Sequence, residues 1–183
     1  MPKRTLLLIL ALIIVTGLLL EIALSQKNNL TNPGKLSTPT PTATNQAHTM
    51  LSLVSNTSSA SASVDVNVDS GGDNLTAAEI ELSYDPKMLS QVVITPGTYF
   101  TNPVIFINKV DTKNGKILYA IAIPPSGTPQ KGQGKLARIY FLSNVQSGQQ
   151  TEIKFLPTTI VTAKRVRESV LKSAIGTTIL SSL

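Results

Sequence analysis

The chain has no cysteine and no tryptophan among its 183 residues, and only one histidine. Without cysteine there is no disulfide framework, no thiol nucleophile and no thiolate metal site. Attachment through a lipidated cysteine is excluded as well. The lone imidazole, His48, stands in a polar stretch with no His, Cys or carboxylate beside it in the sequence. It supports neither a catalytic triad nor a zinc site and reads as a solvated linker residue. Aromatics make up only 4% of the chain, as four Tyr and four Phe. A strip of rings for stacking on sugars is therefore poorly supplied. Its candidates are Tyr119 and Tyr140 in strand patterns, Tyr84, and Tyr99 with Phe100 near a turn. Acidic residues are few, 10 against 16 basic, for a formal charge of +6. Lys3, Arg4, Lys27 and Lys35 lie ahead of the folding region, which from Thr49 onward has 12 basic and 9 acidic residues. That surplus is too small to argue for a nucleic-acid partner. The cluster Lys164-Arg165-Val166-Arg167 reads as a solvated edge or loop rather than an anion site.

What is present begins with a targeting pattern. Lys3 and Arg4 precede an uncharged apolar run, Leu6 to Leu20, and Glu21 follows it. Basic residues ahead of such a run keep the N-terminus cytoplasmic and send the rest outside. Residues 1–24 are expected to be a retained transmembrane anchor at the cell membrane, because about 20 apolar residues span a bilayer. The alternative is a signal peptide cleaved near Ala23-Leu24-Ser25, which would make the protein secreted. Residues 25–48 are rich in Ser, Thr, Asn, Gln and Pro and contain Thr38-Pro39-Thr40-Pro41-Thr42. Such a segment buries too little apolar surface to offset its ordering entropy, and its prolines favour an extended spacer.

From Thr49 the pattern changes to period two. Val64, Val66 and Val68 alternate with Asp65, Asn67 and Asp69, and Ile80 and Leu82 alternate with Glu79, Glu81 and Ser83. Alternation of this kind buries one face of a sheet and wets the other. Lys116 to Ile123 reads as a central strand, and Leu136 to Leu142 as a half-buried one. Turn chemistry separates the runs: Ser70-Gly71-Gly72-Asp73, Thr95-Pro96-Gly97, Asn114-Gly115 and Pro124-Pro125-Ser126-Gly127. Eight or nine short strands are expected over residues 49–183, with Lys164 to Lys172 taken as β. The fold class is all-β, a two-sheet jelly-roll β-sandwich.

Four segments carry a family resemblance. The first is Ile80-Glu81-Leu82-Ser83-Tyr84-Asp85-Pro86 with Leu89, a strand running into an Asp-Pro turn. The others are Asn114-Gly115-Lys116-Ile117, Gly134-Lys135-Leu136-Ala137-Arg138-Ile139-Tyr140-Phe141 and Thr151-Glu152-Ile153-Lys154-Phe155. In this order they resemble the cohesin domains of cellulosome-type assemblies. The resemblance implies a jelly-roll sandwich related to carbohydrate-binding modules. It also implies a non-catalytic role, holding a dockerin-bearing protein at a cell surface, often for polysaccharide breakdown. It transfers no contact residues, and the Tyr84-Asp85-Pro86 segment has a sufficient folding explanation of its own.

The remaining constellations are weak. Asp69, Asp73 and Asn74 offer loop oxygens to a calcium ion, yet the neighbouring glycines suit an ordinary tight turn equally well. Asp65, Asp69, Glu79 and Glu81 alternate onto wet sheet faces and do not form a hydrolytic pair. Sequons stand at Asn29, Asn56 and Asn74. No catalytic, metal or cofactor-binding residue is assigned, and no cofactor is implied. The partner is expected to be a dockerin-like protein. Direct polysaccharide binding and a structural place in an envelope assembly are the alternatives. All six charged residues between Thr49 and Pro86 are acidic, whereas Lys109, Lys113, Lys116, Lys131, Lys135 and Arg138 follow with only Asp111 opposed. If early and late strands occupied separate faces, the domain would be electrically two-sided and would steer a charged partner.

Overall fold

The computed structural model describes residues 47–58 and 61–180. The targeting segment 1–24 and the linker as far as residue 46 lie outside them. Among the described residues there are eleven strands: β1 Thr49–Ser58, β2 Ser61–Asp69, β3 Leu75–Ser83, β4 Leu89–Pro96, β5 Val104–Asp111, β6 Lys116–Ala122, β7 Gln133–Ser143, β8 Gln150–Phe155, β9 Ile160–Ala163, β10 Leu171–Ile175 and β11 Thr177–Leu180. Sheet one runs β10-β1-β2-β7-β4 and sheet two β11-β8-β3-β6-β5. β6 covers one edge of β3, while β8 and β9 share the other, β8 at Leu82 and Ser83 and β9 from Leu75 to Glu79.

Period-two alternation places the core. Val64, Val66 and Val68 of β2 and Leu51 and Leu53 of β1 point inward from sheet one. Ile80 and Leu82 of β3 and Ile117, Tyr119 and Ile121 of β6 meet them from sheet two. Each fully buried aliphatic contributes roughly 1.5–3 kcal/mol of transfer free energy, and this replaces the disulfides that the chain cannot form. One departure from alternation is informative. Leu136 and Ala137 are adjacent in β7 and both buried, where the β2–β7 register shifts between Val66 and Asn67. A bulge of this kind resets which residues face out.

The strand beyond those read from the sequence is β1, Thr49–Ser58, and the two C-terminal strands join different sheets. β10 pairs parallel with β1 in sheet one, and β11 pairs antiparallel with β8 in sheet two. The chain thus changes sheets at Gly176, where an added Cβ would lie 2.6 Å from the Ile153 carbonyl oxygen. This crossing closes one side of the sandwich. On the other side, the Asn108 amide donates to the Ile94 carbonyl at 3.2 Å and ties β5 to β4. The β expectation for Lys164 to Lys172 is corrected: 164–170 form a turn and loop, and strand structure begins at Leu171. Its backbone bonds go to separate neighbours, Lys164 N to Asn74 O and Val170 N to Val161 O, so no ladder forms there.

Candidate functional site

The segments that carried the resemblance prove to be each other's supports. Asp85 forms an Asx turn, its carboxylate accepting from Lys87 N at 2.8 Å and its carbonyl from Leu89 N at 2.9 Å. Tyr84 is buried and donates its N–H to the Gly115 carbonyl at 2.8 Å. Gly115 sits at φ +62, and a Cβ there would collide with the Tyr84 carbonyl oxygen and Pro86. Only glycine serves at that position. The Asp111 carboxylate takes the Asn114 backbone and side-chain amides, which holds its pKa below the ordinary carboxylate value. These residues build a corner of the fold, and the hydrogen bonds among them account for its turn geometry without a ligand.

The outer face of sheet two is different. Across it, Ile160, Glu79, Ala120 and Ile107 form one row through β9, β3, β6 and β5. The small side chains Ala77 and Ala120 floor a groove of about 280 Å³, walled by Phe106, Ile107 and Ile160. The β5–β6 register shifts between Ile105 and Ile107, and Phe106 stands in that bulge 70% exposed. Glu81 pairs with Leu118, which pairs with Lys109, so unlike charges border the groove in the next row. None of Glu79, Glu81 and Lys109 has an ion-pair partner among the described residues.

On the outer face of sheet one, Asp65 is only 7% exposed although it points away from the core. Arg138 grips it with two donors, Nε to Oδ1 and Nη2 to Oδ2 at 2.9 Å, and Lys135 Nζ lies 2.8 Å from the same Oδ2. The Arg138 hydrogen bonds, opposed by desolvation, lower the Asp65 pKa to about 2. Register explains the cluster: Asp65 is opposite Arg138, and Asn67 opposite Lys135, on adjacent strands β2 and β7.

That pairing overturns the two-sided charge expectation. The acidic early strand β2 lies beside the basic late strand β7, and acidic β3 beside β6, so the charges interleave instead of separating. The tyrosine platform is reduced in the same way. Tyr119 is fully buried at 0%, and Tyr84 and Tyr99 are buried too, which raises all three phenol pKa values and takes Tyr119 to about 12. Tyr140 alone of the four tyrosines is exposed, on sheet one, while Phe106 is on the opposite face. His48 is exposed as expected, but its Nδ1 has a carboxylate neighbour, Asp73 Oδ1 at 3.8 Å. Asp69 accepts from Gly71 N and Gln133 Nε2, and Asp73 from the Thr49 hydroxyl. Both carboxylates are used in holding the loop, and no three His, Asp or Glu gather as a cation site among the described residues. Of the sequons, Asn74 is exposed, the Asn56 amide nitrogen is buried, and Asn29 lies outside the described residues.

Phe106, Ile107 and Ile160 were not singled out by sequence reasoning. The available signal was the run Val104-Ile105-Phe106-Ile107, since four consecutive apolar residues of one strand cannot all point inward.

What the two outer faces offer is contact surface, and the molecule is by class a non-catalytic binding module built on a β-sandwich. The chain belongs to the cohesin domain family, whose profile matches residues 51–179. Solved structures agree in fold. A non-cellulosomal cohesin from Archaeoglobus fulgidus is 17% identical, with 72% of this chain and 89% of that chain covered and a TM-score of 0.55. The third ScaC cohesin of Acetivibrio cellulolyticus, solved with the ScaB dockerin, is 14% identical, with 73% and 99% covered and a TM-score of 0.59. The CaCohA2 cohesin of Clostridium acetobutylicum is 19% identical, with 74% and 91% covered and a TM-score of 0.56. No curated protein sequence matches the chain.

Proposed function

We propose that this protein is an attachment module that holds a dockerin-type partner against the outer face of sheet two. The observation that carries the reading is the apolar groove under Phe106, bordered by Glu79, Glu81 and Lys109 with no ion-pair partners among the described residues. An amphipathic helix laid into such a groove buries its apolar stripe and pairs its flanking charges. Membership of the cohesin family supports the partner class, as do relatives solved in complex with dockerins. The pattern of Lys3 and Arg4 ahead of Leu6 to Leu20 supports a membrane tether with the domain outside, and the Thr-Pro segment supports a spacer. Such a tether would keep a dockerin-bearing enzyme at the cell surface, where polysaccharide is degraded.

The test is calorimetric titration with a panel of calcium-loaded dockerins at low and moderate salt. Binding at about micromolar or tighter (near −8 kcal/mol), weakened by Phe106→Ser, is the expected result. Absence of heat with every dockerin in the panel sinks the partner assignment.

A further inference from the structure

The other face also has the anatomy of an interface. Among the described residues, six exposed large apolar side chains lie on the outer face of sheet one or at its rim: Met50, Val54, Val93, Tyr140, Leu142 and Ile175, between 39% and 62% exposed. Strand pairing divides five of them between two diagonal corners. Tyr140 and Leu142 of β7 stand with Val93 of β4 at one. At the other, Met50 of β1 and Ile175 of β10 flank an open hollow of about 670 Å³, whose other lining includes Ser52, Asn67 and Lys135. The Asp65–Arg138–Lys135 cluster, with Val54 opposite Asp65, lies between them.

From this we infer that the outer face of sheet one is a self-association surface whose occupant is a second copy of the chain. The face is self-complementary. A two-fold axis lying in the plane of the face and passing near Asp65 turns the Tyr140–Leu142 corner of one copy onto the Met50–Ile175 hollow of the other. It does so twice, as an isologous contact requires. Charge permits it. The domain as a whole is positive, but this face has Asp65 and Asp69 against Lys135 and Arg138, so two copies meet without net repulsion. Size permits it too. Five strands about 4.8 Å apart and some nine residues long at about 3.3 Å give a flat area of roughly 600 Å², close to the about 800 Å² per partner of a standard interface. Two flat sheets stack face to face as they do inside a sandwich. The groove on sheet two stays free, so a dimer would present two partner sites and gain avidity on a multivalent target. The inference stands or falls independently of what fills that groove.

The experiment is sedimentation velocity on the full chain in mild detergent, for the native sequence, Tyr140→Ser, Leu142→Gln and Phe106→Ser, with thermal melts to verify folding. The expected result is a dimer that weakens at least about tenfold in Tyr140→Ser and Leu142→Gln and is unchanged in Phe106→Ser. Since the chain has no cysteine, V54C and F106C each supply a single thiol for a short bis-maleimide. V54C should cross-link in high yield and F106C should not. A strictly monomeric chain overturns the inference. A dimer untouched by both face variants overturns it as well, because association then resides elsewhere in the chain. If a monomeric chain binds an insoluble polysaccharide and loses it on Tyr140→Ser, the face belongs to a glycan and the dimer is again overturned.

Discussion

The two outer faces of this sandwich differ in what their charges are used for. On sheet one, Asp65 is held between Arg138 and Lys135, so its charge is satisfied within the molecule. On sheet two, Glu79, Glu81 and Lys109 border an apolar groove and have no ion-pair partner among the described residues. The first arrangement adds stability and fixes side-chain geometry. The second leaves charge free for an incoming partner, where complementary potentials raise association rates and set register. Net charge would not have separated the two, because each face carries both signs. Pairing across strands distant in sequence separates them.

The strongest way to break the contrast is to remove the locked carboxylate. Asp65→Ala strands two cations, and unfolding by urea should show a loss of about 2 kcal/mol. That is less than the roughly 3–5 kcal/mol of a fully buried pair, because Lys135 and Arg138 are 31% and 32% exposed. Glu79→Ala and Glu81→Ala, by contrast, should stay within about 0.5 kcal/mol. Equal losses on the two faces would show that the charge of sheet one is not structurally special.

Acid supplies a second test of the same cluster. The folded-state pKa of Asp65, about 2, lies below the ordinary value of 3.8. A depressed carboxylate pKa contributes stability that is present above the unfolded value and is lost as pH falls toward the folded one. Between about pH 4 and pH 2 the native protein should therefore lose on the order of 2 kcal/mol from this group alone. Asp69 and Asp111, also lowered, titrate in native and variant alike. The difference between native and Asp65→Asn stability curves thus isolates the cluster, and parallel curves through this window would refute its role.

On sheet two the expected effect is on binding. Phe106→Ala removes an exposed ring from the groove wall. It should weaken a dockerin-type partner by about 1.5–2 kcal/mol, the size of an interface hot spot, while thermal stability changes little. A variant that unfolds more readily but binds as well would make Phe106 a structural residue and move the contact surface elsewhere.

Local features of these faces are legible in the sequence, and non-local ones are not. Strand identity was readable because Val64, Val66 and Val68 alternate with polar residues, a local property. The Asn114-Gly115 turn and the Tyr84-Asp85-Pro86 corner were readable for the same reason, although their mutual contact was not. Which strands become neighbours is a non-local outcome, and it was hidden. The placement of β2 beside β7 unites Asp65 with Arg138 across 73 positions, and it defeats any map of charge drawn along the chain. Bulges hid the rest. The register shifts at Ile105/Ile107 and at Val66/Asn67 change the phase of alternation, so inward and outward assignments fail beyond them. Phe106 emerges from one such shift and was for that reason missed.

The smallest expected effect concerns the layer that both faces share. Tyr119 is fully buried in β6, and its hydroxyl has no hydrogen-bond partner among the described residues. Burial alone raises its pKa to about 12, since no neighbouring charge or donor contributes. A buried hydroxyl without a partner costs free energy relative to a methine of similar size. Tyr119→Phe should therefore be neutral or stabilising by about 0.5–1 kcal/mol, with a small rise in melting temperature. It should leave both the partner affinity of sheet two and the acid sensitivity of sheet one unchanged, because the ring that packs the core is retained. A loss of more than about 1 kcal/mol would show that the hydroxyl is satisfied by buried water, which typically makes about three hydrogen bonds and is costly to remove. The centre of the sandwich would then be a polar site, and the two faces could no longer be treated as independent of what lies between them.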